Sequence, residues 1–358
     1  MPPVRRCLFL ILFCVLLPFS RSHAFDLSRL DEFFEDLSQS ASRKTDLGMD
    51  AEGRLQFEKG DIFNLGLSFS GTASYGDDRK LVRGGVRKDD LFGTRMFVGT
   101  DIEARRDKDP RYHLTGITPD VYIGNRLDDK TSVTLKLSEE FVNACRIDTD
   151  EPAILAMRGS NRTSMLSLIF DRTDLDNKLY PRKGTRGTLT LDWASRMLGS
   201  DNEFARLTGE FRAYVTPGKL LTFVSRTQAG IARGYGSGLP FYERFFLGGG
   251  NSVRGYRSRM LGPKAGPDSP EGGEAMFLEN LEVRCPIYKG LYAAAFLDTG
   301  AVWARPSDID FGGIRSSAGL GLRYVTRFGT AKIDYAVRIG SDDTQPTSRI
   351  TAGFGMPF

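Results

Sequence analysis

The sequence predicts an all-β protein, a closed antiparallel transmembrane β-barrel of 14–16 strands. Three observations support this fold class. Apolar and polar residues alternate with a period of two, the connections between these segments alternate in length, and the chain begins with a leader typical of exported proteins. Closure is part of the prediction, because an open sheet in lipid would leave backbone groups unpaired along its edges.

The leader spans residues 1–24. Arg5 and Arg6 supply a positive start, an apolar run follows at 7–17, and small residues at 22–24 offer a cleavage site. The run is too short to span a membrane as a helix, so we expect a cleaved signal peptide and a mature chain that starts near Phe25. An exported chain with barrel strands is expected in the outer membrane of a cell of Gram-negative type.

Charge and cysteine content bound the possible functions. Loss of the three arginines of the leader lowers the formal net charge from +4 to +1, which leaves no basic field for nucleic acid. Beyond the leader, Cys145 and Cys285 are the only cysteines and His113 is the only histidine, so neither a metal site nor a cofactor is predicted. An oxidising compartment would permit a bridge between the two cysteines, but two unpaired strand residues are the favoured interpretation.

Residues 25–60 are predicted to form a short periplasmic or plug segment. Within 25–44 the apolar residues are spaced as one face of a helix, and acidic residues lie on the opposite face. The apolar residues are Leu27, Leu30, Phe33, Phe34 and Leu37. This amphipathic helix would plug the lumen or lie in the periplasm, and a mobile extension is the alternative. A short hairpin around Leu47–Phe57, turning at 51–53, would raise the strand count from 14 to 16.

Residues 61–358 are predicted to form the barrel. Strands are expected near 61–75, 80–91, 95–106, 112–126, 131–146, 162–172, 186–194, 204–216, 219–234, 275–285, 290–303, 313–326, 330–339 and 347–358. In the last of these, Ile350, Ala352, Phe354, Met356 and Phe358 share one face, while threonine and glycines share the other. Such two-faced strands suit either a soluble sandwich or a membrane barrel with a wet lumen.

The connections favour the barrel. Those at 286–289 and 216–219 are tight, whereas those at 235–274, 195–203 and 304–312 are longer. Short turns at one end and long loops at the other are typical of outer-membrane barrels. Most strands also match the ~9–11 residues that a tilted membrane strand needs.

The longest connection contains a glycine-rich segment, FYERFFLGGGNSVRGYRSRMLGP, at 241–263. Glycines at 248–250 permit backbone angles closed to other residues, and Arg254 follows beside Gly255. Inside a barrel the guanidinium group of Arg254 would need an acidic partner, and Glu282 and Asp298 on the following strands are candidates. From the residues alone, a solvated arginine on a surface loop is the alternative.

These segments resemble the barrel domain of the BamA/TamA assembly superfamily, the bacterial surface antigen domain. In that family a V/I-R-G-F/Y tetrad on a long extracellular loop folds back into the lumen, and Val253, Arg254, Gly255 and Tyr256 match this tetrad. The segment FDRTDLDNKLYPRKGTRGTLTLDW at 170–193 is also similar to the family pattern. Together these matches cover roughly residues 160–358.

The resemblance implies roles for particular residues. The tetrad arginine of the family pairs with acids of the inner wall, and the matching wall positions here are Glu282 and Asp298. The terminal TAGFGMPF resembles the signal by which barrels are recognised for assembly, which implicates Phe354, Met356 and Phe358.

The resemblance also implies a function: aiding the insertion or export of other proteins at the outer membrane. The expected partners are outer-membrane lipid, unfolded barrel clients and periplasmic or membrane accessory proteins. One departure is that family members usually carry POTRA domains before the barrel, whereas the stretch from Phe25 to the first predicted strand is too short for one. We therefore expect a short member without POTRA domains.

Two other functions stay open at this stage. A transport pore is one, because the polar row of Arg323, Lys332, Asp334 and Arg338 has mixed sign, as the interior of a porin can have. A passive structural barrel is the other. An enzyme is not expected, since neither a G-x-S-x-G elbow nor an H-E-x-x-H motif occurs in the chain.

Overall fold

A computed structural model describes residues 49–62, 66–76, 78–109, 111–218, 220–236, 238–326, 329–340 and 347–355. The predicted signal peptide, the predicted helix within 25–44, and the terminal Met356 and Phe358 lie outside these ranges. Within them, the structure contains no helix that is both long and apolar enough to cross a membrane.

The described chain is built mainly from strands. In chain order they are β1 (Met49–Ile62), β2 (Leu67–Tyr75), β3 (Arg79–Lys88), β4 (Met96–Asp109), β5 (Tyr112–Arg126), β6 (Thr131–Cys145), β7 (Gly159–Leu175), β8 (Gly184–Ala194), β9 (Phe204–Val215), β10 (Thr222–Gly234), β11 (Lys264–Gly266), β12 (Ser269–Pro270), β13 (Ala275–Tyr288), β14 (Leu291–Trp303), β15 (Arg315–Thr326), β16 (Gly329–Ile339) and β17 (Ser348–Gly355). A single helical turn, α1 (Pro152–Leu155), lies between β6 and β7.

Fifteen of these strands close into one barrel, which confirms the predicted fold class. The barrel follows chain order, with β10 beside β13 because β11 and β12 form a separate small hairpin in the connection between them. Neighbouring strands are antiparallel except at the closure, where β1 pairs with β17 in parallel. We call this closure the seam.

The parallel seam corrects the expected even strand number. A hairpin around Leu47–Phe57 was predicted, but β1 runs straight through the predicted turn at 51–53. Gly53 lies opposite Tyr75 of β2 on one side and Phe354 of β17 on the other, so this stretch is held as strand from both sides. An odd number of strands then brings the first and last together in the same direction.

The start of the barrel also differs from the prediction. The barrel was expected from residue 61, with one strand at 61–75, whereas its first described strand begins at Met49. The predicted strand divides into the end of β1 and the whole of β2, because the chain turns between Ile62 and Leu67.

The two faces of the wall differ from those of a soluble protein. Apolar side chains such as Leu320, Leu322 and Ile333 are exposed on the outer surface, while Asp298, Arg323 and other charged side chains are buried inside. Such a distribution fits an outer surface that meets lipid and a polar interior. The alternation with a period of two thus places apolar residues outside, and the soluble sandwich is excluded.

Candidate functional site

The connection between β10 and β13, residues 235–274, folds into the lumen. Its two halves meet where Leu247 and Leu261 form an isolated antiparallel bridge. The amide of Gly249 donates to the Tyr256 carbonyl at 3.1 Å. Gly248 has φ +107°, and a Cβ there would lie 2.2 Å from the Arg257 carbonyl oxygen, so the tight return requires glycine.

Apolar side chains hold the folded loop against the wall. Val253 is fully buried and Tyr256 nearly so, in a cluster with Leu247 and Leu261 of the loop. Leu278 and Val302 of the wall, together with other residues of β8–β14, complete that cluster. Burial of these apolar side chains stabilises the position of the tetrad, in addition to the charge pairing of Arg254.

Asp298 on β14 binds the tetrad arginine in two ways. Its Oδ2 accepts from Nε of Arg254 at 2.7 Å and from the Arg254 amide at 3.0 Å, while its Oδ1 accepts from Nη2 at 2.7 Å. Asn280 on β13 donates from Nδ2 to Oδ1 of the same carboxylate at 2.8 Å. The planar fork of an arginine suits this bidentate geometry, which fixes both the side chain and the backbone of the tetrad.

Glu282 on β13 is shared by three arginines. Its Oε2 accepts from Nη1 of Arg254 at 2.9 Å and from Nη2 of Arg323 at 2.8 Å. Its Oε1 accepts from Nε of Arg284 at 2.7 Å. Asp334 on β16 completes the set, with its carboxylate 2.6 Å from Nη1 of Arg323 and 3.6 Å from Nη1 of Arg254.

We call this set the Arg254 network, and its members are Arg254, Arg284, Arg323, Glu282, Asp298 and Asp334. All six side chains are at most 1% exposed, and their three positive charges balance three negative ones. A buried charge costs much free energy unless an opposite charge lies beside it. The balance therefore explains how this interior carries so much charge, and it ties the loop to β13, β14, β15 and β16 at once.

Two further features act on the loop arginine. Burial alone would lower the pKa of Arg254, but the hydrogen bonds and charge of Asp298, with the charge of Glu282, outweigh it and hold the pKa above its ordinary value. The guanidinium carbon also lies 3.4 Å from the centre of the Phe296 ring, a cation–π contact. Arg254 is therefore a permanently charged anchor.

The other tetrad positions have equally local reasons. Gly255 has φ +91°, a conformation that side chains rarely adopt, and faces Ala336, Arg338 and Ser317 of the wall. The Arg338 guanidinium lies 5.2 Å from the centre of the Tyr256 ring. The glycine thus lets the backbone turn while the tyrosine packs on β16.

The loop also reaches the far wall, which sequence reasoning did not predict. Nη1 of Arg259 donates to the Tyr112 hydroxyl of β5 at 3.0 Å, and Nη2 of Arg111 donates to the Pro270 carbonyl at 2.9 Å. The sequence also did not predict that Arg284, Arg323 and Asp334 join Arg254 and its acidic partners in one network. Their inward parity on strands after the tetrad was the available signal, but parity alone cannot say which strand ends meet.

The remaining predicted residues lie elsewhere. Phe354 is on β17 at the seam, opposite Gly53 and one strand beyond β16, which carries Asp334. Cys145 and Cys285 do not form a disulfide. Among the described residues, no group of three or more His, Cys, Asp or Glu side chains could hold a metal ion.

A known protein family matches most of the chain. The model of the Omp85 superfamily domain matches residues 61–358. The chain belongs to the Omp85 superfamily.

Two curated relatives are outer membrane protein assembly factors named BamA. The chain is 30% identical over 223 residues to that of Nitratidesulfovibrio vulgaris, covering 59% of this chain and 28% of the relative. It is 26% identical over 285 residues to that of Neorickettsia risticii, covering 75% of this chain and 38% of the relative. The chain therefore spans well under half the length of these relatives.

Solved structures show the same fold at low identity. BamA from Haemophilus ducreyi lacking POTRA domains 1–3 matches with a TM-score of 0.70 and 18% identity, over 83% of this chain and 65% of that one. CdiB from Escherichia coli matches with a TM-score of 0.58 and 15% identity, over 84% and 58%. Both support the barrel architecture of this Omp85 superfamily member.

Proposed function

We propose that this Omp85 superfamily barrel aids the insertion or export of other proteins at the outer membrane, with unfolded barrel chains as its clients. The observation that carries the proposal is the short seam. Only Met49–Gly53 pairs with Ile350–Phe354 among the described residues, whereas the β13–β14 ladder runs from Ala275 to Tyr288. The seam is therefore the part of the wall with the fewest backbone hydrogen bonds to break.

An opened seam would offer a template. Beyond Gly53, the described residues of β1 continue to Ile62 with register partners on β2 alone. A strand edge with unpaired N–H and C=O groups can pair with an incoming strand, which is the physics of β-augmentation. A client strand could pair with this edge while the rest of the client forms its own hydrogen bonds.

The Arg254 network supplies the complementary property. It joins the loop to β13, β14, β15 and β16, so that wall keeps its shape while the seam separates. This division of roles makes Arg254, Glu282 and Asp298 structural residues in our proposal, and no catalytic role is assigned to them.

The named relatives support the same direction, since both are outer membrane protein assembly factors. The proposal places the chain in the outer membrane after export, with residues 1–24 removed as a signal peptide. N-terminal sequencing of the protein recovered from outer membranes tests this part, with a start near Phe25 expected.

The central experiment locks the seam. Gly53→Cys with Phe354→Cys joins residues that lie directly opposite, and an added Cβ at Gly53 meets no atom within 4 Å. Cys145 and Cys285 are first changed to Ser. The full chain is placed in liposomes, and the rate at which a urea-unfolded barrel client becomes protease-resistant is measured before and after oxidation.

A matched pair controls for the disulfide itself. Leu320→Cys with Tyr335→Cys joins two residues opposite each other on β15 and β16, which pair along nearly their whole length. We expect acceleration over empty liposomes, lost on oxidation of the seam pair and kept on oxidation of the wall pair. Equal rates with the locked and unlocked seam would refute templating at the seam.

A transport pore is the second candidate, favoured by a lumen cavity of about 920 Å³. Charged side chains line it, among them Arg83, Lys136, Arg212 and Arg226. Conductance in planar bilayers, together with no acceleration of client folding, would favour this function over assembly.

A further inference from the structure

An acidic side chain lies on the outer, lipid-facing surface of the barrel. Glu279 of β13 has the parity of the exposed Leu281, opposite to that of the buried Asn280 and Glu282. Its Oε1 accepts from the Ser225 hydroxyl at 2.8 Å, and its Oε2 accepts from the Thr227 hydroxyl at 2.5 Å. Among the described residues no cation forms an ion pair with it, unlike the carboxylates of the Arg254 network.

The carboxylate lies within the apolar band rather than at its rim. Along β13 it is flanked by Phe277 and Leu281 on the same face, and on β10 the face carries Phe223 toward one end and Ile231 toward the other. Trp303 lies opposite Ala275 at the loop end of the ladder, where aromatic side chains are expected at the rim of the apolar band. Glu279 is four positions after Ala275, which is about 13 Å along the strand.

Ionisable side chains at such a depth are rare and usually have a functional reason. Most face a lumen or a neighbouring chain, because lipid offers no hydrogen-bond partner. Glu279 faces outward, so its remaining acceptor capacity points where another membrane-embedded surface could lie.

Donors for this acceptor occur in the same row of the sheet. Thr299 of β14 lies directly opposite Glu279, and Ser316 of β15 lies opposite Thr299. Their hydroxyl oxygens are 3.1 Å apart, and when Ser316 donates to Thr299 the hydroxyl hydrogen of Thr299 stays available to another acceptor. Acceptor and donor therefore stand side by side on adjacent strands.

We propose that this face binds a second copy of the chain. A twofold axis along the membrane normal, passing between β13 and β14, brings Glu279 of each copy to face Thr299 of the other. Copies inserted in the same direction share one depth, so the polar rows meet without adjustment, as an isologous interface requires. Leu281 and Leu297, which lie opposite each other, flank the polar row on one side with exposed apolar surface.

The proposal requires only that the barrel spans a membrane, so it can fail or hold separately from the assembly function. Hydrogen bonds between hydroxyls and polar groups across membrane interfaces contribute modestly but measurably. Two symmetric Glu279–Thr299 contacts would raise the association constant about tenfold over chains that lack them.

The test uses disulfide cross-linking in liposomes at fixed protein-to-lipid ratio, again with Cys145 and Cys285 changed to Ser. Leu297→Cys lies next to the proposed axis, and Ile102→Cys on β4 is the matched control on the opposite wall. Leu297 is 40% exposed and Ile102 is 51% exposed, so random collision would link the control position at least as readily.

We expect a dimer from Leu297→Cys and little from Ile102→Cys. Glu279→Leu and, separately, Thr299→Val should lower the Leu297→Cys dimer yield about tenfold. Thr299→Val keeps the side-chain shape, so it tests the interface even if Glu279→Leu hinders folding. Retained heat-resistant migration in electrophoresis shows that each variant is folded.

Three outcomes would overturn the proposal. Equal cross-linking at residues 297 and 102 would mean collision only. A Leu297→Cys yield that both substitutions leave unchanged would remove Glu279 from any interface. Cross-linking in cells to a different protein, in place of a second copy, would assign the face to another partner.

Discussion

The β13–β14 ladder runs from Ala275 opposite Trp303 to Tyr288 opposite Leu291, while the seam ladder ends after Gly53 opposite Phe354. Behind the first stands a buried, charge-balanced network that also binds the lumen loop. No comparable ion-pair network joins β1 to β17 among the described residues. The difference teaches that backbone pairing and lumen packing can be distributed unevenly around one sheet, which is the basis of our proposal that the seam separates more easily than the wall.

The largest expected effect comes from removing the central cation of the wall. Arg254→Ala leaves Asp298 and Glu282 buried with fewer partners, so the free energy of unfolding should fall by about 3–5 kcal/mol. Urea unfolding in detergent, followed by electrophoretic mobility, measures this loss. Arg257→Ala, on the same loop but in an exposed pair with Asp268, should change it by less than about 1 kcal/mol.

If Arg254→Ala unfolds at the same urea concentration as the unaltered protein, the network does not hold the wall. The contrast with the seam would then rest on backbone pairing alone.

A smaller loss is expected for Asp298→Asn. The amide keeps the shape of the carboxylate but removes its charge, and it cannot accept all three bonds from Arg254. Weakening of these charged hydrogen bonds should lower the free energy of unfolding by about 2–3 kcal/mol. In the double variant with Arg254→Ala the two losses should not add, since both act on one pair. Full additivity would contradict direct coupling.

Gly255→Ala should cost less again. A Cβ there has ordinary van der Waals space, its nearest neighbour being the Ala336 Cβ at 3.4 Å, but φ is +91°. The strain alone predicts a loss of about 1–2 kcal/mol in the same urea assay. A loss as large as that of Arg254→Ala would mean that the alanine displaces the tetrad from the wall, in addition to straining its backbone.

The smallest expected difference between the seam and the wall can be measured on the unaltered protein. Amide hydrogens of Ile350–Phe354 at the seam should exchange with deuterium at least about tenfold faster than those of Glu279–Val283 in the wall, which corresponds to about 1.4 kcal/mol of local opening. Mass spectrometry of the folded protein in lipid discs measures both segments at once. Equal protection would remove the physical basis for the seam as a gate.

Much of the wall could be predicted before the structure. The alternation of Ile333 and Tyr335 with Lys332 and Asp334 gives the outer and inner faces, because side chains on a strand point to opposite sides in turn. Glu282 and Asp298 were proposed as partners of Arg254, and both carboxylates now lie within 3 Å of its guanidinium nitrogens. Their functional role stays a prediction for the variants above.

What the sequence by itself determined is local: strand positions, the two faces of each strand, and a glycine-rich loop with one arginine that needs acidic partners. The tertiary structure alone decided the fifteenth strand and its parallel seam, since closure depends on which distant strands meet. It also decided that Arg284, Arg323 and Asp334 join one charge-balanced network, and that Glu279 lies opposite Thr299. Neutralisation of buried charge depends on distances across the barrel, and no local pattern encodes those distances.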